Sequence, residues 1–340
     1  MVEKHVKSTT LHSHTAGRVT EKTLKNRPAR AVSKDGSASV AILLDRENGT
    51  RIPGIRRSFG RLKTSEGKNR RGRKAVSPAL SSVILTGVIV VLLLVVSTFA
   101  NRFLNDRLAE NEFNAMKQFM QTMGLQTDDV AWTIGRTQTT RYASQFGTLN
   151  LETVALNYTV YVDGNPTFSH TTGVLLFNMP ISKYTVSDNY RQRLSPSSNN
   201  HFLQEGTSAP AAHVFVVEKL HMNDGNYIRV IVAPSIRMLN SSMTLNGTQT
   251  NYLRFYLPVL SAGRAPHLSQ SVTLEGTAVS VKSAQLTSSV RIHLDFPKGT
   301  SGFDNSFFGF STVDEQITVP SGSTLQFYAG NVTTSLGIYA

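Results

Sequence analysis

Between Val76 and Ala100 the chain runs 25 residues without a charged side chain, directly behind Arg70-Arg71-Gly72-Arg73-Lys74. As an α-helix this run is about 37 Å long at ~1.5 Å per residue, more than the ~30 Å hydrocarbon core of a bilayer. Ile84, Leu85 and every residue from Val88 to Val96 are apolar, so large side chains cover every face. A helix that is apolar all round has no side to give to water. The run therefore reads as a membrane span, in preference to the core helix of a soluble domain.

Charge placement gives the span a direction. Before Val76 there are 19 Lys/Arg and 6 Asp/Glu, a balance of +13; from Val76 onward there are 16 of each, a balance of zero. Ten of the basic residues lie between Arg51 and Lys74, next to the span. Cytoplasmic flanks carry the excess of Lys and Arg, so the amino terminus is expected inside and the rest of the chain outside. A basic tail of this kind also suits anionic lipid or nucleic acid. Retaining topology explains the placement more simply, and no nucleic-acid partner is expected.

The chain contains no cysteine. Disulfides, thiolate nucleophiles and Cys-based metal sites are thereby excluded together. The outer part must hold itself by burial and hydrogen bonding, for which its length is ample.

Four segments follow from composition and periodicity. Residues 1–75 are rich in Ser, Thr, Lys, Arg and Gly and read as a mostly disordered basic leader. Within it, Ser39-Val40-Ala41-Ile42-Leu43-Leu44 and the following Asn48-Gly49 suggest a small isolated hairpin. Residues 76–123 read as one helix, apolar at first. It then becomes amphipathic, with Phe103, Leu104, Leu108, Ala115, Phe119 and Met123 near one face and Gly124 as its carboxy-terminal cap. Residues 124–147 form a polar connector holding the single tryptophan, Trp132, expected in a buried corner between helix and sheet. Residues 148–340 form a β-rich outer domain.

That domain is announced by a change of period. Leu149, Leu151, Val154, Leu156, Tyr158, Val160 and Val162 stand among polar residues up to the turn Asp163-Gly164-Asn165-Pro166. Similar runs recur at Val174–Phe177, Val214–Val217, Tyr227–Val232, Tyr252–Leu260, Val272–Leu274, Val279–Val281, Val290–Phe296, Ile317–Val319 and Leu325–Tyr328. Many short strands with no helix between them predict an antiparallel β-sandwich. The fold class is thus α+β, a long amino-terminal helix followed by that sandwich. Arg191 to Pro210, rich in Ser, Asn and Pro, reads as a long surface loop.

No constellation points to catalysis. His-Glu-x-x-His, a phosphate-binding Gly-rich loop, Gly-x-Ser-x-Gly and an EF-hand loop are all missing from the sequence. The histidines beyond the span (His170, His201, His213, His221, His267 and His293) are dispersed, and Asp128-Asp129 reads as a solvated helix exit. No enzyme activity, metal or cofactor is expected. Asn-x-Ser/Thr sequons stand at Asn48, Asn157, Asn240, Asn246 and Asn331, the last four on the side predicted to face out. Asn240 and Asn246, in a polar turn, are the foremost candidates for glycosylation.

The junction Arg73-Lys74-Ala75-Val76-Ser77-Pro78 opens the apolar run, whereas a secretory signal is cut after its apolar stretch. A basic residue, then Gly or Ala, an aliphatic residue and Ser-Pro ahead of a long apolar helix resembles the class III signal peptide of archaeal type IV pilin-like proteins. Lys74-Ala75-Val76-Ser77-Pro78 matches that pattern position by position. The resemblance covers about 30 residues specifically and the rest in architecture alone. It implies cleavage between Ala75 and Val76 by a prepilin-peptidase-like protease, and assembly of like subunits, as a homo- or hetero-polymer, through the apolar helix. It also implies an outer, often glycosylated β-domain for adhesion or surface display. Ser82, Thr86, Gly87 and Ser97, with Ser81 and Thr98, are small enough for close helix approach, and Pro78 is tolerated in a first turn. Two departures stand out. The leader of 75 residues is longer than the family's, and a later start needs a non-ATG codon, since Met116 is the next methionine. The glutamate of bacterial pilins is replaced by Ala79-Leu80-Ser81. Two alternatives remain: an unprocessed single-pass membrane protein whose outer β-sandwich binds a ligand or another cell, and a membrane-tethered regulator using its basic tail on nucleic acid.

Overall fold

The computed structural model describes residues 78–245, 247–263, 269–286 and 289–337. The proposed leader hairpin and most of the junction lie outside these residues. The first element is one uninterrupted helix, α1, Pro78–Ala131. Pro78 begins it, where a missing N–H removes no helical hydrogen bond. The helix does not stop at Gly124 as the sequence suggested. Gly124 faces the sheet, where a Cβ would lie 2.7 Å from Val214 Cγ2. It is a point of close approach, not a cap.

The strands follow in order: β1 Thr137–Arg141, β2 Thr148–Val162, β3 Asn165–Pro180, β4 Arg191–Ser195, β5 Leu203–Glu205, β6 Ala212–Lys219, β7 Tyr227–Pro234, β8 Ile236–Leu245, β9 Thr248–Ala262, β10 Ser271–Gln285 and β11 Ser289–Asp295. A short helix α2, Asn305–Phe308, precedes β12 Asp314–Thr318 and β13 Thr324–Leu336. They form two curled sheets, a seven-stranded one in the order β12-β11-β2-β3-β7-β6-β4 and a six-stranded one in the order β1-β10-β13-β9-β8-β5.

Four sequence expectations need correction. The connector at 124–147 holds the end of α1 and all of β1. Arg191 to Pro210 contains β4 and β5. Val272–Leu274 and Val279–Val281 belong to one strand, β10, with a register shift between Gly276 and Ala278. Finally, the sandwich is not wholly antiparallel: β13 runs parallel to β9 and β5 parallel to β8, both in the six-stranded sheet.

Two cores explain the hydrophobic pattern. The first lies between the sheets and includes Tyr158, Phe215, Phe255 and Phe327 together with Phe307 and Phe308 from α2. The second lies under α1, where Phe113, Met116, Met120 and Met123 meet Val214, Val216, Val230 and Phe177. The middle strands of the seven-stranded sheet are covered on both sides. That is why β6, β7 and the end of β3 are buried at consecutive positions without alternation, the polar exceptions to their apolar content being Asn178, His213, Glu218 and Arg229. β2 changes allegiance along its length: Leu149 faces α1, whereas Leu156, Tyr158 and Val160 face the other sheet. Leu149 and Leu156 are an odd number of residues apart, so strand alternation puts them on opposite faces, and the register shift between Glu152 and Leu156 leaves that alternation in place. There the sheets touch, and the Thr172 hydroxyl accepts from the Leu260 N–H at 2.9 Å.

The outermost strands β1, β4, β5 and β12 are short, at 5, 5, 3 and 5 residues, and each carries a charged residue. Short charged edges discourage strand-to-strand pairing with other chains.

Candidate functional site

α1 is made of two unlike halves of one continuous helix. In the first, Leu80, Val83, Ile84, Leu85 and each residue from Val88 to Val96 are exposed, as are Phe99, Phe103, Leu104 and Leu108. Val83 is 68% exposed and Phe99 70%. Among the described residues α1 alone is long and apolar enough to cross a membrane, and its most apolar stretch is not buried by the rest of the chain. Backbone polarity is satisfied within the helix. The hydroxyls of Ser82, Thr86 and Thr98 donate to Ala79 O, Ser82 O and Leu94 O at 2.9, 2.9 and 2.8 Å. These side chains therefore carry no unpaired donor into an apolar surrounding.

The residues named for helix packing all lie on this half. At ~100° per residue, Ser82, Thr86 and Ser97 share a face while Gly87 points about a quarter-turn away. A Cβ built on Gly87 meets nothing within 4 Å. Of the junction, Pro78 is the first residue of α1; Arg73, Lys74, Ala75, Val76 and Ser77 lie outside the described residues.

The second half is the spine of the β-domain. Its buried side chains, Ala109, Phe113, Met116, Met120, Met123, Thr127 and Val130, recur in alternating steps of four and three. Such spacing keeps one face of a helix on one surface. Polar clamps fix it at three heights. Lowest, the Glu112 carboxylate accepts from the Ser144 hydroxyl at 2.6 Å and from the N–H groups of Gln145, Phe146 and Gly147 at 2.8, 3.1 and 3.0 Å. Midway, the Gln121 amide donates to Leu194 O at 3.4 Å. At the top, Asp128 accepts from Trp132 Nε1 and from Arg237, both at 2.7 Å. Trp132 meets Tyr256 edge-on at 5.3 Å, and Tyr256 stacks on Tyr328 at 4.8 Å. Trp132 is thus the helix–sheet corner that the sequence suggested, half-buried. Asp128 and Asp129 both lie in the last turn of α1: Asp129, engaged by Arg136 and Gln138, stays exposed as the sequence suggested, whereas Asp128 is half-buried under Trp132 and Arg237.

Sequence reasoning missed Glu112, Gln121, Tyr184 and Arg237. Tyr184 packs on Phe113 at 5.0 Å. Only the amphipathic pattern of 103–123 hints at a seat, and it does not identify what lies opposite.

Two open clefts flank the helix just above its apolar half. One, of about 460 Å³, lies between Phe103, Asp106, Arg107 and Glu110 and the segment Ile181–Thr185. The other, of about 420 Å³, lies between Leu108, Asn111 and Ala115 and the segment Ala143–Phe146.

Elsewhere several of the histidines are paired with neighbouring polar groups. His213 is fully buried beside Arg193 and Gln204, and burial, with the Arg193 charge adding, drives its pKa down to about 3. His201 pairs with Glu315 at 2.6 Å, and His293 lies between Asp295 and Asp314 at 3.0 Å each. Among the described residues no three His, Asp or Glu side chains come together as a metal site. Of the sequons, Asn240 is exposed, but on strand β8 and not in a turn. Asn157 is half-buried in the middle of β2, its Oδ1 accepting from Ser169 and Thr171 at 3.1 and 3.2 Å. Asn331 is half-buried on β13, and Asn246 lies outside the described residues.

Fold and site together define a β-rich domain carried on a helix of membrane-spanning length. No family model, curated protein or solved structure matches the chain.

Proposed function

We propose that this is a non-enzymatic, pilin-like surface subunit. It is inserted with its amino terminus inside and its β-domain outside, cut between Ala75 and Val76 by a prepilin-peptidase-like protease, and assembled with like subunits through the apolar half of α1. The observation that carries the reading is the division of α1. A single helix leaves its first half bare and apolar over the length of a bilayer, and lends its second half to the β-domain as a spine. Lipid covers such a surface before assembly, and neighbouring helices are the natural replacement for lipid afterwards. The Lys74–Pro78 pattern and the charge asymmetry support the orientation and the cut. The outer domain serves adhesion or display, with exposed Asn240 the best placed of the described sequons for a glycan.

The test is the mass and terminal sequence of the protein extracted from membranes or surface filaments. A chain beginning at Val76 is expected. A chain beginning at Met1 overturns the processing step and leaves a single-pass membrane protein.

A further inference from the structure

α1 carries a second regular seam. Leu104, Leu108, Asn111, Ala115, Gln118, Thr122 and Leu125 recur in the same alternating steps of four and three as the buried face, on roughly the opposite side. All seven are exposed, Leu104 at 57%, Leu108 at 50% and Leu125 at 68%. We infer that this seam is the contact between two copies of the chain lying parallel and in register in the membrane. Alternating four- and three-residue spacing is what two helices need to stay in contact along their length.

Three observations select a second copy as the occupant. Every copy inserted the same way round presents this seam at the same depth and in the same direction, so no further element is needed to align two of them. The segment Asn101–Gln126 holds six charged residues (Arg102, Asp106, Arg107, Glu110, Glu112 and Lys117), and none of them falls on the seam. A charge there would face its own image across a two-fold axis, a repulsive arrangement. The polar seam residues suit self-pairing instead: Asn111 and Gln118 each carry both amide donors and an acceptor, so either can bond to the same residue of the other chain. Asn at such a position also fixes register, because a slip leaves it opposite an apolar side chain. The Thr122 hydroxyl is occupied by Gln118 O at 3.1 Å within the helix. The cleft of about 420 Å³ beside Leu108, Asn111 and Ala115 leaves room for the partner's side chains.

The inference rests on α1 crossing the membrane, but not on processing or polymerisation. Because the chain has no cysteine, single cysteines can be placed in the full-length protein and oxidised in native membranes. Leu108→Cys and Ala115→Cys are expected to give roughly ten-fold more covalent dimer than Asp106→Cys, an exposed position off the seam, since a disulfide needs Cα atoms within ~7 Å. Equal dimer from Asp106→Cys overturns the seam. So does preferential linking of a Leu108→Cys chain to an Ala115→Cys chain, because it reports a stagger. A chain that pellets with membranes yet fails to link through position 115 overturns the seam alone. A chain found in the soluble fraction overturns the insertion on which the seam depends.

Discussion

Glu112 is the residue on which the seating of α1 most depends. Its carboxylate is the shared acceptor for one hydroxyl and three consecutive backbone N–H groups of the Ser144–Gly147 turn. Truncating it strands those donors in a partly buried site, and stranded donors are more expensive than the net gain of making the bonds. Glu112→Ala should destabilise the domain by about 2–3 kcal/mol, and Glu112→Gln by about 1 kcal/mol, as read by denaturant unfolding of the detergent-solubilised chain. His213 makes a different prediction. Its folded pKa is about 3 against 6.5 for the free side chain. Below pH 6.5 the unfolded chain takes up a proton here that the folded chain refuses. Stability is therefore lost as pH falls through this window, by at most about 1.4 kcal/mol per pH unit. Between pH 7 and pH 5 the wild type should lose about 2 kcal/mol more than His213→Gln; equal losses would remove His213 from the account.

At the scale of elements, the end of α1 lies directly on bare backbone. A Cβ on Gly330 of β13 would stand 2.4 Å from Ala131 O, and one on Gly276 of β10 would stand 2.4 Å from Val130 O. Both obstacles are backbone atoms, so neither can swing aside. Gly330→Ala should lift the last turn of the helix from the sheet and cost about 1–3 kcal/mol. Thermal unfolding measures the loss, and a shift in Trp132 fluorescence reports the displaced corner. Which elements were legible in the sequence follows from which signals are local. The apolar half of α1 and the strands of the two cores announce themselves by runs of large side chains. β4, in Arg191-Gln192-Arg193-Leu194-Ser195, and the three residues of β5 lie at edges where polar side chains are favoured, so nothing sets them apart from a loop. β8 carries Asn240-Ser241-Ser242 in its middle and reads as a turn. The parallel pairing of β9 with β13 joins residues about seventy positions apart, as in Tyr252 with Thr324, and no local pattern encodes it. The candidate site divides in the same way. Its bare apolar surface was fully legible; the clamps through Glu112, Gln121 and Arg237 were not, because each partner is distant in sequence.

For the whole molecule, the proposed cut redistributes charge as well as mass. The leader takes with it 19 basic and 6 acidic residues, and the remainder carries 16 of each. A processed chain should therefore focus near neutrality, far from the pI of about 10.0 for the full sequence, a second readout of the terminus measurement. The same continuity of α1 has a mechanical side. The helix leaves the apolar segment and enters the β-domain without a break from Pro78 to Ala131. No loop or glycine-rich tether lies between the part suited to lipid and the part clamped by Glu112 and Asp128. A pull on the outer domain is thus not absorbed by a slack stalk. It passes along the helix axis to whatever grips the apolar half, so the strength of the attachment is set at the membrane end and by the clamps, whichever yields first.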